Sequence, residues 1–258
     1  MLAYASRTGT RRNIAALRAA GWRLLVSAAG VHRHEGMPYG LDNGAWSAFK
    51  NGQSQLNERV FDTLLESHGA RADFIVVPDV VADAQRSMEL TTSWLPRLLS
   101  RFSPDGPRLL IAVQDGMMPY DVEPLLTQRR IGLFLGGSTE WKLHTMRMWG
   151  DVAGRRGLWY HVGRVNSAKR IRAAADSGAT SFDGTSVTMY AETLPLLDAA
   201  RREGTLVHGP AFVDPPRDFL ADAQLVESEL PNYRDDEEVT LEAGALRLML
   251  ARARGVAE

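Results

Sequence analysis

What most constrains this chain is an alternation. Short apolar runs rich in β-branched residues are separated by amphipathic stretches of helical length. The runs are MLAYA, RLLVSAAG, YGLDNG, DFIVVPDVV, RLLIAVQDG, IGLFLGG, LWYHVGRV, TSFDGTS and TLVHG. Because they are apolar at consecutive positions, they read as strands covered on both faces, the pattern of a parallel sheet. Between them, RRNIAALRAAG sets Ile14, Leu17 and Ala20 about three apart and closes on Gly21, a helix stop signal. ADAQRSMELTTSWLPRLLS gathers Met88, Thr91 or Thr92, and Leu95 on one face. NSAKRIRAAADSG opens on Asn166 as an N-cap and stops at Gly178, and ETLPLLDAARREG ends likewise at Gly204.

Strand, loop and helix repeated about eight times predict an α/β chain folded as a (β/α)8 TIM barrel, with a doubly wound open sheet as runner-up. Nine candidate strands for eight places make one of them a short extra or a misread loop. The length of 258 residues suits a single barrel. With no linker in view, the barrel domain is expected over residues 1–215. Residues 216–258, acidic and then helical, are expected as an extension packed on its outside.

Composition excludes more than it identifies. Apolar residues make up 45% and charged residues 24%, enough for a sizeable core. The formal net charge of −1 gives no global electrostatic case for nucleic acid. Only Lys50, Lys142 and Lys169 are lysines among 30 basic residues, and arginine suits phosphates and base edges. The absence of cysteine removes disulfides, thiolate metal sites and a Cys nucleophile. No apolar run reaches a membrane span and MLAYASRTGTRRN lacks a secretory core, so a cytoplasmic protein without membrane contact is expected.

In a barrel the reactive groups gather at the C-terminal strand ends, where all eight βα loops open. Reading each run to its end yields Asp42, Asp79, Gln114 with Asp115, the Gly136–Gly137–Ser138 corner, His161 with Arg164 and Asn166, and Asp183. Each has a plainer explanation. Asp before Gly or Asn is a common turn residue, a Gly pair makes a tight βα turn, and a strand-end histidine is more often hydrogen-bonded core. Trp94, Trp141 and Trp149 stand at helical positions as packing. The collective pattern is harder to dismiss, since several strands ending in binding or acid–base groups is what a barrel enzyme needs.

Taken in order, these segments resemble the tRNA-guanine transglycosylase superfamily, (β/α)8 barrels that exchange a guanine for a 7-deazaguanine. The acid-Ser-Gly-Gly-Phe motif resembles LDNGAWSAF, and the strand with a base-reading acid and its following helix resembles VVPDVVADAQRSMELTTSWLPR. AVQDGM, FLGGSTEW and YHVGRVNSAKRIRAAADSGATSFDGTS are similar to the family's next three segments, so the likeness spans about residues 23–200. The resemblance implies Asp183 as the nucleophile attacking the sugar C1′, and Asp42 as the second acid that handles the proton of departing and entering bases. It implies Asp79 and Gln114 as readers of the guanine edge, and Gly136 and Gly137 as backbone donors to the base carbonyl. Ser138, His161, Arg164 and Lys169 join these as substrate-binding candidates, with Arg164 and Lys169 as the best phosphate contacts. The target nucleotide would have to be flipped out of its stack.

The departures shift the expected substrate. The family's tRNA enzymes hold a structural zinc on three Cys and a His, which a chain without cysteine lacks, so no cofactor is expected. DNGAW and GTSVTM replace segments beside the base and at the anticodon grip. These losses favour the superfamily's DNA-modifying branch, making the expected partners DNA ahead of tRNA and a free 7-deazaguanine base. A homodimer or partner proteins stay open. The alternatives are a base-removing N-glycosidase or nucleoside hydrolase, a purine- or nucleic-acid-binding barrel subunit with little catalysis, and an unrelated sugar-phosphate barrel. The last is disfavoured because HGPAFVDPP, taken as the loop after the eighth strand, lacks a Gly-rich phosphate cradle.

Overall fold

The computed structural model of the chain describes residues 1–6, 10–53 and 56–203. Eight parallel strands close on themselves in chain order: β1 (Leu2–Ser6), β2 (Arg23–Ser27), β3 (Tyr39–Asp42), β4 (Phe74–Val76), β5 (Arg108–Val113), β6 (Ile131–Leu135), β7 (Tyr160–Val162) and β8 (Ser181–Gly184). The seam is made by β1 and β8, with Leu2 opposite Ser181 and Tyr4 opposite Asp183. The expected barrel is therefore the observed one.

The ninth candidate strand resolves by this closure. SFDG is β8 and pairs directly with β1, so the eight described strands already close the wall. HGPAFVDPP is consequently not the loop after the eighth strand; that loop begins at Thr185. TLVHG, the boundary at 215 and the 216–258 extension lie outside the described residues.

The helices are α1 (Arg11–Ala19), α2 (Ala45–Lys50), α3 (Glu58–His68), α4 (Ala84–Arg101), α5 (Pro119–Val122), α6 (Thr139–Arg156), α7 (Ala168–Asp176), α8 (Ser186–Met189) and α9 (Leu194–Glu203). Their starts follow from capping chemistry. Thr10, Asn57, Asp83, Ser138 and Ser167 each accept from the backbone N–H three residues on, at α1, α3, α4, α6 and α7. The cap of α7 is thus Ser167 and not Asn166. The Asn166 side chain instead crosses to the β8 loop, where its Oδ1 accepts from the Thr185 N–H at 2.7 Å.

Period-two alternation divides the wall into an outer and an inner face. Ala3, Leu24, Leu41, Ile75, Leu109, Ile111, Leu133, Val162 and Phe182 belong to the large core under the helices. The residues between them, Tyr4, Phe74, Val76, Leu110 and Ala112, form a separate cluster inside the barrel, flanked by Leu25, Phe134 and Trp159. Two glycines make room for aromatic rings within this interior. A Cβ on Gly40 would lie 2.4 Å from the Phe74 ring, and one on Gly163 would lie 2.7 Å from Phe134. Trp94 and Trp149 are buried in the outer layer as packing. No helix among the described residues is long and apolar enough to cross a membrane.

Candidate active site

The same alternation that turns Tyr4 and Phe74 inward continues up each strand to its C-terminal end. There it turns Ser27, Asp42, Gln114, Gly136 and Asp183 toward the barrel axis. Ser27 and Asp42 stand opposite one another in the β2–β3 pair. Asp183 is on β8, separated from Asp42 around the wall by β1 and β2. The two carboxylates are nevertheless near enough that the charge of one disfavours ionisation of the other. The sequence placed them 141 positions apart (183 − 42); the barrel brings them to one mouth.

Asp42 is half-buried, and its Oδ2 accepts from the Gly44 N–H at 3.1 Å. Burial pushes its carboxyl up to about 6; the hydrogen bond from Ser27 works against this, and the charge of Asp183 adds to it. Asp183 is 6% exposed. Its Oδ1 accepts from His161 Nε2 at 3.0 Å and from the Arg164 backbone N–H at 3.3 Å. Among the described residues no hydrogen bond reaches its Oδ2.

Asp79 lies three residues past the end of β4 and is buried. Asn43 Nδ2 donates to its Oδ1 and Gln114 Nε2 to its Oδ2, both at 2.6 Å. Burial pushes the Asp79 carboxyl up to about 7. The Asn43 bond opposes that rise, the charge of Asp42 reinforces it, and the Gln114 bond and the Arg164 guanidinium oppose it again. Gln114 helps orient Asp79, and its Oε1 accepts from the Ala82 N–H at 3.0 Å.

The two glycines do different jobs. The Gly136 N–H is bonded to Val113 O at 3.0 Å, so it is not the backbone donor the sequence led us to expect. Its missing side chain matters instead, since a Cβ there would lie 2.3 Å from Gln114 Nε2. Gly137, at φ +80, carries an N–H with no partner among the described residues. Ser138 is committed to the turn: its N–H and hydroxyl donate to Asp115, and the hydroxyl oxygen caps α6.

Arg164, at φ +56, follows the end of β7 two residues on. Its guanidinium donates to Gly137 O and lies 3.8 Å above the centroid of the Trp46 ring. Lys169 stands exposed in the first turn of α7 and is not joined to the acids. His161 is fully buried beneath Asp183 and faces the barrel interior, so it does not contact substrate directly. The structure adds residues the sequence did not single out. Asn43 holds Asp79, Trp46 supports Arg164, and Lys142, also buried, donates from Nζ to Gly163 O at 2.7 Å.

The zinc implied for the tRNA enzymes requires three cysteines, and a chain with none does not fit it. No family model matches this chain, and comparison with curated proteins yields no match either.

Proposed function

We propose that this barrel is a base-exchanging transglycosylase, acting on guanine in a polynucleotide, DNA in preference to tRNA, and inserting a 7-deazaguanine. The observation that carries the reading is the pair Asp42 and Asp183. They face one mouth in unlike environments, one with its carboxyl raised to about 6 and the other anchored through a single oxygen. Two carboxylates whose surroundings hold them apart divide acid and nucleophile roles at an anomeric carbon.

In the first step a lone pair of the Asp183 carboxylate attacks C1′. The C1′–N9 bond breaks and its electrons leave with guanine, which takes the proton held by Asp42. In the second, the Asp42 carboxylate removes the N9 proton of the entering base. N9 attacks C1′, and the C1′–O bond to Asp183 breaks. Protons and charges balance over the cycle, and two inversions give retention. Asp79, fixed by Asn43 and Gln114, has lone pairs left to accept from the guanine N1–H and exocyclic amine. The Gly137 N–H, without a partner among the described residues, donates to the base carbonyl in this reading. Arg164, held against Trp46 and Gly137 beside the acids, supplies a positive charge for a phosphate next to the target nucleotide.

The test is exchange of labelled 7-deazaguanine into guanine-containing DNA and, in parallel, into tRNA. Incorporation into DNA supports the reading, and incorporation into tRNA alone reverses the substrate preference. Release of guanine without incorporation identifies the base-removing glycosidase instead. Neither release nor incorporation, with purine binding retained, identifies a binding subunit.

A further inference from the structure

We propose that His161 is a positioning residue for Asp183, fixed as its Nε2–H tautomer by a one-way hydrogen-bond chain that begins at the Trp159 indole. The functional consequence rests on the transglycosylase reading above; the chain itself does not. An indole N–H can only donate. Trp159 Nε1 donates to Ser181 Oγ at 2.8 Å. The single Ser181 hydroxyl proton is then free to point at His161 Nδ1, also 2.8 Å away. A nitrogen that accepts carries no proton, so the imidazole proton sits on Nε2, 3.0 Å from Asp183 Oδ1. The opposite tautomer would aim two donors at Ser181 Oγ and leave its proton without an acceptor. Both residues are fully buried, where an unmet donor is costly.

The ring is packed by aromatic side chains. It lies nearly parallel to Phe134, with centroids 5.0 Å apart and planes 11° from parallel, and Phe74 and Tyr4 hold its other sides at 4.9 and 5.7 Å. The chain ends on Oδ1 of Asp183, where the Arg164 N–H also arrives, and Oδ2 receives no hydrogen bond among the described residues. His161 therefore selects between two chemically equivalent oxygens. Oδ1 is the anchor, and Oδ2, to which no described residue donates, is the oxygen that bonds to C1′.

The test joins a spectroscopic and a kinetic arm on the full-length protein. Two-bond 1H–15N correlation of histidine-labelled protein should show His161 as the Nε2–H tautomer, and Ser181→Ala should weaken that preference. In steady-state exchange, His161→Phe keeps the stack but removes the donor, and is expected to lower kcat about 100-fold at unchanged KM. His161→Gln can still accept from Ser181 and donate to Asp183, and should recover most of that loss. If His161→Phe does not fold, Ser181→Ala and His161→Gln carry the comparison. An Nδ1–H signal from wild-type His161 overturns the chain. A donor-free variant with wild-type kcat, or a His161→Gln variant no better than His161→Phe, overturns the positioning role. Should the wild-type protein exchange no base at all, the transglycosylase reading fails, while the tautomer measurement still decides the chain.

Discussion

At the scale of single residues, the proposed chemistry depends on carboxyls made unequal by their surroundings. Asp183→Asn retains an oxygen to accept from His161 and the Arg164 N–H, so the mouth should keep its shape and still bind purine. Lacking a carboxylate nucleophile, the variant should lose base exchange entirely. A variant exchanging at the normal rate would remove Asp183 from that role. Asp42 predicts a pH dependence with a definite sign. With its carboxyl raised to about 6, the protonated form needed to release guanine is abundant below that value and depleted above it. The rate of guanine departure, measured as kcat/KM, should therefore fall as pH rises through about 6. Asp42→Asn should be slower by roughly 100-fold or more, with little change in binding, and should lose that descending limb. A descending limb that survives in the variant would assign it to another group, Asp79 being the next candidate.

At the scale of elements, close approach is what a small side chain permits. Gly136→Ala on the end of β6 would drive a methyl into Gln114 and release the amide from Asp79. Purine binding should weaken by about tenfold, with the melting temperature changed little, because the displaced atoms are the far end of a flexible side chain. Gly150→Ala, inside α6, meets a different obstacle. The added Cβ would sit 1.8 Å from the Ser177 carbonyl oxygen at the end of α7. Backbone cannot yield as a side chain does, so this variant should lose roughly 3 kcal/mol of stability, read from thermal or denaturant unfolding. An unchanged midpoint would mean that α6 and α7 are not held so closely.

These elements also mark where the sequence was readable. Eight apolar runs became the eight strands because a strand buried on both faces has to be continuously apolar. TLVHG has the same local character, and no local pattern shows which of the nine runs complete the wall; the β1–β8 pairing, a contact between the two ends of the barrel, closes it with eight described strands. The acids at 42, 79 and 183 were legible because a carboxyl ending an apolar run is conspicuous. Their partners were not. Asn43 reaches Asp79 over 36 positions and Gln114 reaches it over 35, distances that no local pattern encodes. Ser181, two residues before Asp183 on one strand, shares its face by simple alternation, and that signal was present to be used. The supposed donor role of Gly136 failed because its N–H had already been taken by the barrel's own ladder.

At the scale of the whole molecule, the acid cluster makes stability depend on pH. Asp42 and Asp79 hold protons in the folded chain, at about 6 and about 7, that the unfolded chain gives up near 4. Their contribution is complete below the ordinary carboxylate range and is lost as pH rises through the folded values. Between about pH 4 and 7 stability should decline, and Asp42→Asn should flatten its share of that decline. The share is on the order of 1–2 kcal/mol by linkage, since Asp42 is only half-buried and solvent moderates the effect. Equal slopes of melting temperature against pH in the two proteins would contradict the raised Asp42 carboxyl. With a net charge near neutral, the proposed polynucleotide binding has to rest on local groups such as Arg164. The central claim concerns what Asp183 does there, and its most direct measurement is the intact mass of the denatured protein after incubation with guanine-containing DNA, and separately with tRNA. The account predicts a covalent protein–DNA adduct that survives denaturation, is discharged by added 7-deazaguanine, and is missing from Asp183→Asn. No adduct on either polynucleotide, or one that forms equally well in Asp183→Asn, would contradict it.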